Sequence, residues 1–224
     1  MMKIQYAILL LILVFSAPAI GQEAHKVPLT EYIREIQIWK KDGENMTLSF
    51  WLPRSYWRIA LADNPAVPQE MVQHILETLD DYIFVCALDV DIHLDGSLTF
   101  ASEETIRNSI TVKINEGEPQ QPIPENQLDI SVRSISETMK PMFENMMGQF
   151  GAGMSFYFFE NKDENGKVLV DEYKEGEFMI YHSNKEFDYA LPLTTLLPPK
   201  NCTVDNAAMK GNWSYCPFHG NTLD

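Results

Sequence analysis

The chain is 224 residues long, carries a formal net charge of −15, and is 45% hydrophobic and 22% charged. Those proportions belong to an ordinary globular chain rather than a disordered tail, and the length suffices for one substantial domain but is marginal for two. The acidity argues against a nucleic-acid partner, because binding a phosphate backbone draws on clustered lysines and arginines and the sequence has no such cluster.

The N-terminus reads as an export signal. Lys3 supplies a short positive segment, Ala7 to Phe15 an apolar run of signal length, and Ala19 and Gly21 the small residues that a signal peptidase accepts. Cleavage is expected before Gln22, which divides the chain into a signal peptide (1–21), a main domain (22–199) and a cysteine-containing C-terminal knuckle (200–224). The apolar run is too short to span a bilayer, and no later segment is apolar enough to do so. No cysteine lies near the boundary to accept a lipid anchor. The mature protein is therefore expected to be exported, periplasmic or extracellular, and soluble.

Alternation of Ile36 and Ile38 over 31–40, and of Met46, Leu48, Phe50 and Leu52 over 45–52, flanks an Asp42-Gly43 pair and predicts a β-hairpin. Arg54 to Ala62 is expected to be a short helix broken at Asn64-Pro65. Met71, Val72, Ile75, Leu76 and Leu79 form a helical stripe after Pro68. Tyr82 to Leu88 is a continuous apolar run of strand length and predicts a buried central strand, which passes into the alternating stretch 89–95. Ser102, followed by Glu103 and Glu104, caps a short helix to about Asn108, and 109–115 alternates as a strand. Gly117, Pro119, Pro122 and Pro124 make 116–126 a loop and the one internal candidate for a domain boundary. A helix over 134–150 carries Met139, Met142, Met146 and Met147, whose spacing predicts core packing. Strands over 155–160, 167–173 and 177–181 are expected to follow, joined at Asn165-Gly166 and Gly176. The predicted class is α+β, an antiparallel sheet with about three helices plus the small C-terminal knuckle.

One candidate site lies on the predicted strand. Asp89, Asp91, His93 and Asp95 alternate with apolar residues, so they project from one face and offer carboxylates and an imidazole for a divalent cation or a general base. The alternative is a solvated strand face in a very acidic protein. Asn161-x-Asp163-x-Asn165-Gly166 with Glu172 matches the spacing of a calcium loop, but its flanks read as strands, and a hairpin turn accounts for it. The common nucleophile, metalloprotease and phosphate-loop motifs are absent from the sequence.

The second candidate is the tail. Cys202-x-x-Asp205 and Tyr215-Cys216-Pro217-x-His219-Gly220 resemble the ending of a zinc ribbon, with Asp205 and His219 standing where cysteines would be. The resemblance covers about two dozen residues and implies a small β-knuckle held by zinc through Cys202, Asp205, Cys216 and His219. The competing reading is a Cys202–Cys216 disulfide, which would stabilise the tail by roughly 3 kcal/mol through loop closure and is the state an oxidising compartment favours. Cys86, inside the apolar run, reads as a small buried hydrophobe.

The rest of the chain is similar in general character to bacterial exported envelope proteins. A non-enzymatic binding or structural domain with a disulfide-stapled tail is expected, its partner a protein or small molecule that the sequence does not identify. The alternatives are a metal-dependent hydrolase built on Asp89, Asp91 and His93, with His182 as a further candidate, and a zinc-binding protein acting through the tail. Zinc is the one cofactor with a candidate site.

Overall fold

A computed structural model describes residues 25–62 and 68–223; the expected signal peptide and the break at Asn64-Pro65 lie outside them. Pro28 sits immediately before α1 (Leu29–Ile36), whose Tyr32 and Ile36, one helical turn apart, are fully buried. The hairpin follows as β1 (Gln37–Asp42) and β2 (Asn45–Trp51), with Gly43 in the turn at φ 58°. The turn is where the Asp-Gly pair puts it. The first strand starts later than expected, because the 3.6-residue pairing of Tyr32 with Ile36 makes 29–36 a helix.

α2 (Arg54–Ala62) and α3 (Gln69–Thr78) precede the long central strand β3 (Tyr82–Ile92). A short strand, β4 (Leu98–Phe100), returns along it, and Ser102 caps α4 (Glu103–Ser109) by accepting the Thr105 amide at 3.1 Å. β5 (Thr111–Ile114) leads through the proline-rich loop to α5 (Ile130–Met147), which begins earlier than expected because Asp129 caps it. Pro141 lies inside α5 on its exposed side, where water can serve the carbonyl that loses its donor. The methionine stripe is only half core: Met139 is buried, whereas Met142 and Met146 face solvent.

α6 (Gln149–Ala152), β6 (Ser155–Glu160), β7 (Gly176–His182) and β8 (Lys185–Leu191) complete the domain, and β9 (Lys200–Asn201) and β10 (Ala208–Met209) belong to the tail. The stretch 167–173 is not a strand; a single bridge, Lys162 to Val168, closes its turn. The partner of β7 is β8, reached through Ser183 and Asn184, both at positive φ (51° and 56°) as a two-residue hairpin requires.

β3 organises the five-stranded sheet. Its residues Val85 to Asp91 pair with β2 on one side, and its other side is shared between β6 and β4. One face packs on helices: Phe84 stacks on Trp57 of α2 and on Phe158 of β6, and Phe50 meets Phe143 of α5 at 6.1 Å. Fully burying such a ring is worth about 1.5–3 kcal/mol. The opposite face meets the three-stranded sheet β5-β7-β8, with Trp51 against Phe178 at 4.8 Å and Tyr189 at 5.7 Å. The architecture is thus α+β with antiparallel sheets, and it has six α-helices among the described residues rather than about three. No helix among them is long and apolar enough to cross a membrane.

Candidate metal centre

The tail is built from one turn used twice. After β9, the Cys202 amide donates to the Ala207 carbonyl at 2.9 Å and the Asn206 amide to the Cys202 carbonyl at 2.8 Å. Fourteen residues on, the Cys216 amide donates to Asn221 at 2.8 Å and the Gly220 amide to Cys216 at 2.8 Å. In both turns the fourth residue after the cysteine has positive φ, 57° at Asn206 and 70° at Gly220. Those are residue types that tolerate the left-handed region.

Each turn folds amides back onto its own sulfur. Cys202 Sγ receives the amides of Val204 and Asp205, and Cys216 Sγ those of Phe218 and His219. Burial pushes the Cys202 thiol up, with the amides opposing it. At Cys216 burial also pushes upward but is outweighed by its two amides, Cys202 and His219, which leaves this thiol below its ordinary range. Amide bonds to sulfur favour thiolate, the form that binds metal.

The turns bring Cys202, Cys216 and His219 together, with their ligand atoms all within 4.8 Å of one another. His219 Nδ1 lies 3.3 Å from Cys202 Sγ and 3.6 Å from Cys216 Sγ. The two sulfurs are free thiols 3.5 Å apart. A tetrahedral zinc bound by sulfur at about 2.3 Å and nitrogen at about 2.0 Å has edges of roughly 3.8 Å between sulfurs and roughly 3.6 Å from sulfur to nitrogen. The three separations here are within about 0.3 Å of those edges.

Asp205 takes the place in the first turn that His219 takes in the second; it is not one of the three residues whose ligand atoms all lie within 4.8 Å of one another, but its carboxyl bonds to the Cys202 side chain. Its Oδ1 accepts the Ala207 amide at 3.0 Å, and that bond, followed by one from Cys202, holds the carboxyl below the usual carboxylate range. Sequence reasoning missed Asn221, whose Oδ1 lies 3.4 Å from Cys202 Sγ and whose amide donates to Thr203 Oγ1 at 2.9 Å. Nothing in the spacing marks it, since side-chain amides are not among the ordinary zinc ligands.

Cys202, Met209, Cys216 and Leu223 form a small core of their own, with Trp213 packed against it. It abuts the chain just before it at Gly211, where a Cβ would fall 2.4 Å from the Pro198 carbonyl oxygen. Only glycine fits so close an approach.

The strand candidate does not converge. Asp89 and Asp91 share a face of β3, but both accept from the Asn45 amide, at 2.6 and 3.0 Å. Lys185 of β8 donates to Asn45 and, at 2.6 Å, to Thr47, which ties this polar strip to the facing sheet. His93 turns to Thr99 at 2.8 Å, and Asp95 closes its own turn onto Ser97. His182 lies buried on Phe187 with its rings 4.6 Å apart, and burial pushes its pKa down to about 4 against the pull of Asp89. The calcium-like stretch is a turn in which Asp163 accepts the amides of Asn165 and Lys167, while Glu172 is buried elsewhere and accepts the Ser55 amide. Cys86 is fully buried, its thiol pushed well up by desolvation.

No protein-family model, curated protein or solved structure matches the chain.

Proposed function

We propose that this protein is an exported, non-enzymatic binding or structural domain whose C-terminal knuckle binds one zinc ion through Cys202, Cys216 and His219. The observation that carries the metal reading is the triangle of ligand atoms, whose sides of 3.3, 3.5 and 3.6 Å fit three corners of a zinc tetrahedron. Asp205 is the fourth ligand in this reading, because its turn repeats the one that delivers His219. Zinc suits the donor set: two thiolates and an imidazole are its preferred structural ligands, and a carboxylate is an accepted one. The ion would add to a small shared core and to the Asn221 contacts with Thr203 and Cys202 in tying the two turns together. The non-enzymatic half of the reading draws support from Asp89 and Asp91, both held by the Asn45 amide, from His93, held by Thr99, and from Asp95, held by Ser97.

The test is metal analysis of the chain purified in reductant. One zinc per chain is expected, and substitution with cobalt(II) should give the visible bands of a tetrahedral thiolate site. Cys216→Ser and His219→Ala should each reduce the bound metal well below one equivalent. A reduced, folded chain that holds no stoichiometric zinc would overturn the reading.

A further inference from the structure

Cys202 and Cys216 can serve a metal or bond to each other, but not both at once, since a disulfide sulfur is no longer a thiolate. Their sulfurs, 3.5 Å apart, stand close to the geometry of either state. Zinc asks for a separation of roughly 3.8 Å, and a disulfide of about 2.05 Å asks the two sulfurs to approach by about 1.5 Å. We propose that the knuckle is a reversible peroxide-sensitive switch, in which oxidation joins Cys202 to Cys216 and releases the zinc ion. This inference rests on the zinc reading and assigns a regulation to that same site.

The placement of the ligands supports it. Both cysteines are buried within the small core, whereas His219, within 3.6 Å of each sulfur, is exposed, so the His219 edge is the side of the cluster that faces solvent. The third cysteine, Cys86, is fully buried in the main core among residues of β2 and β6, and it offers no competing partner. The tail's own core is separate from the main one, so the exchange need not disturb the sheets.

The chemistry balances with a hydroperoxide as oxidant. One zinc-bound thiolate attacks a peroxide oxygen; the O–O bond breaks, leaving a sulfenic acid on that sulfur and a hydroxide. The second thiolate attacks the sulfenic sulfur, the S–S bond forms, the S–O bond breaks, and a second hydroxide leaves. With hydrogen peroxide, two protons from solvent convert both hydroxides to water. The sulfurs together give up two electrons, which the peroxide takes, and zinc departs as a divalent cation with the His219 imidazole freed. A dithiol reductant reverses the change by thiol–disulfide exchange, restoring both thiolates as it becomes a disulfide itself.

The experiment loads the reduced full chain with one equivalent of zinc, removes reductant, and titrates hydrogen peroxide. Zinc is followed with a chromogenic chelator, thiols by titration, and the bond by non-reducing peptide mapping. Release of about one zinc per chain is expected as two thiols disappear, with Cys202 and Cys216 found joined within one chain and zinc binding recovered after dithiothreitol. Cys86→Ala should respond as the parent does, and mapping of the parent decides the pairing if that variant folds poorly. Zinc that stays bound under peroxide, or that leaves with sulfinic acid or an inter-chain bond in place of the Cys202–Cys216 bond, overturns the switch while the zinc reading stands. A reduced chain that takes up no zinc overturns both.

Discussion

Asn206 and Gly220 occupy the same place in two copies of one turn: each lies four residues after a cysteine, and each holds a positive φ, 57° and 70°. The left-handed conformation turns the chain so that the preceding residue, Asp205 or His219, comes back towards the sulfur. A side chain with a branched β-carbon resists that conformation by about 1–2 kcal/mol. Gly220→Val is therefore expected to weaken zinc binding by about tenfold, whereas Asn206→Gly should be close to neutral. Competition with a chelator of known affinity checks both. Equal affinity for Gly220→Val and the parent would show that the second turn does not set the position of His219.

The contact between the two sheets has its own probe. Tyr189 is fully buried, and its hydroxyl lies 2.9 Å from both the carbonyl and the Oγ of Ser49. Tyr189→Phe keeps the ring against Trp51 but removes the hydroxyl, leaving buried polar atoms of Ser49 with one partner fewer. A loss of about 1–2 kcal/mol is expected in denaturant unfolding. A change below about 0.3 kcal/mol would mean that the ring alone carries this contact.

His182 makes stability depend on pH. Its folded pKa is depressed to about 4 from an ordinary 6.5, chiefly by burial, so the folded state keeps the imidazole neutral while the unfolded chain takes up a proton. The contribution is fully present above pH 6.5 and is lost as pH falls through about 4. Over that window it amounts to about 3 kcal/mol. Comparing urea midpoints of the parent and His182→Phe should show the parent losing more stability between pH 7 and pH 4. Parallel curves would assign the acid sensitivity to other groups.

Asp91→Asn combined with His93→Ala should change stability by less than about 0.5 kcal/mol, since the bonds of Asp91 to Asn45 and of His93 to Thr99 are exposed. The zinc content should stay the same. A metal-dependent activity abolished by this pair would revive the hydrolase reading that the dispersal of these side chains disfavours.

Much of this was legible because certain residues have few conformational choices. Asp42-Gly43 located the first hairpin, the unbroken run at Tyr82 the central strand, and Ser102 the cap of α4. What escaped depended on partners distant in sequence or on weak turn chemistry. The stretch 167–173 has the apolar content of a strand, but its pairing stops at the single bridge from Lys162 to Val168, and β6 takes β3 as its neighbour. β8 was hidden because Ser183-Asn184 is a poorer turn signal than Asn-Gly, although the alternation of Phe187 and Tyr189 records the buried face. At the site, the resemblance to a zinc-ribbon ending implied Cys202, Asp205, Cys216 and His219, of which the structure clusters Cys202, Cys216 and His219. The resemblance could not reveal that the Asp205 carboxylate binds the Ala207 amide, because that depends on a side-chain torsion.

The tail's private core of Cys202, Met209, Cys216 and Leu223 is separate from the main core, and the knuckle is therefore expected to unfold as a cooperative unit of its own. Ligand bound only by the folded knuckle raises that unit's melting point by mass action and leaves the sheet domain's transition where it was. A thermal scan at rising free zinc should resolve two events, a smaller one that moves and a larger one that does not. The occupancy of the knuckle would then be readable from heat capacity alone, without following the ion itself.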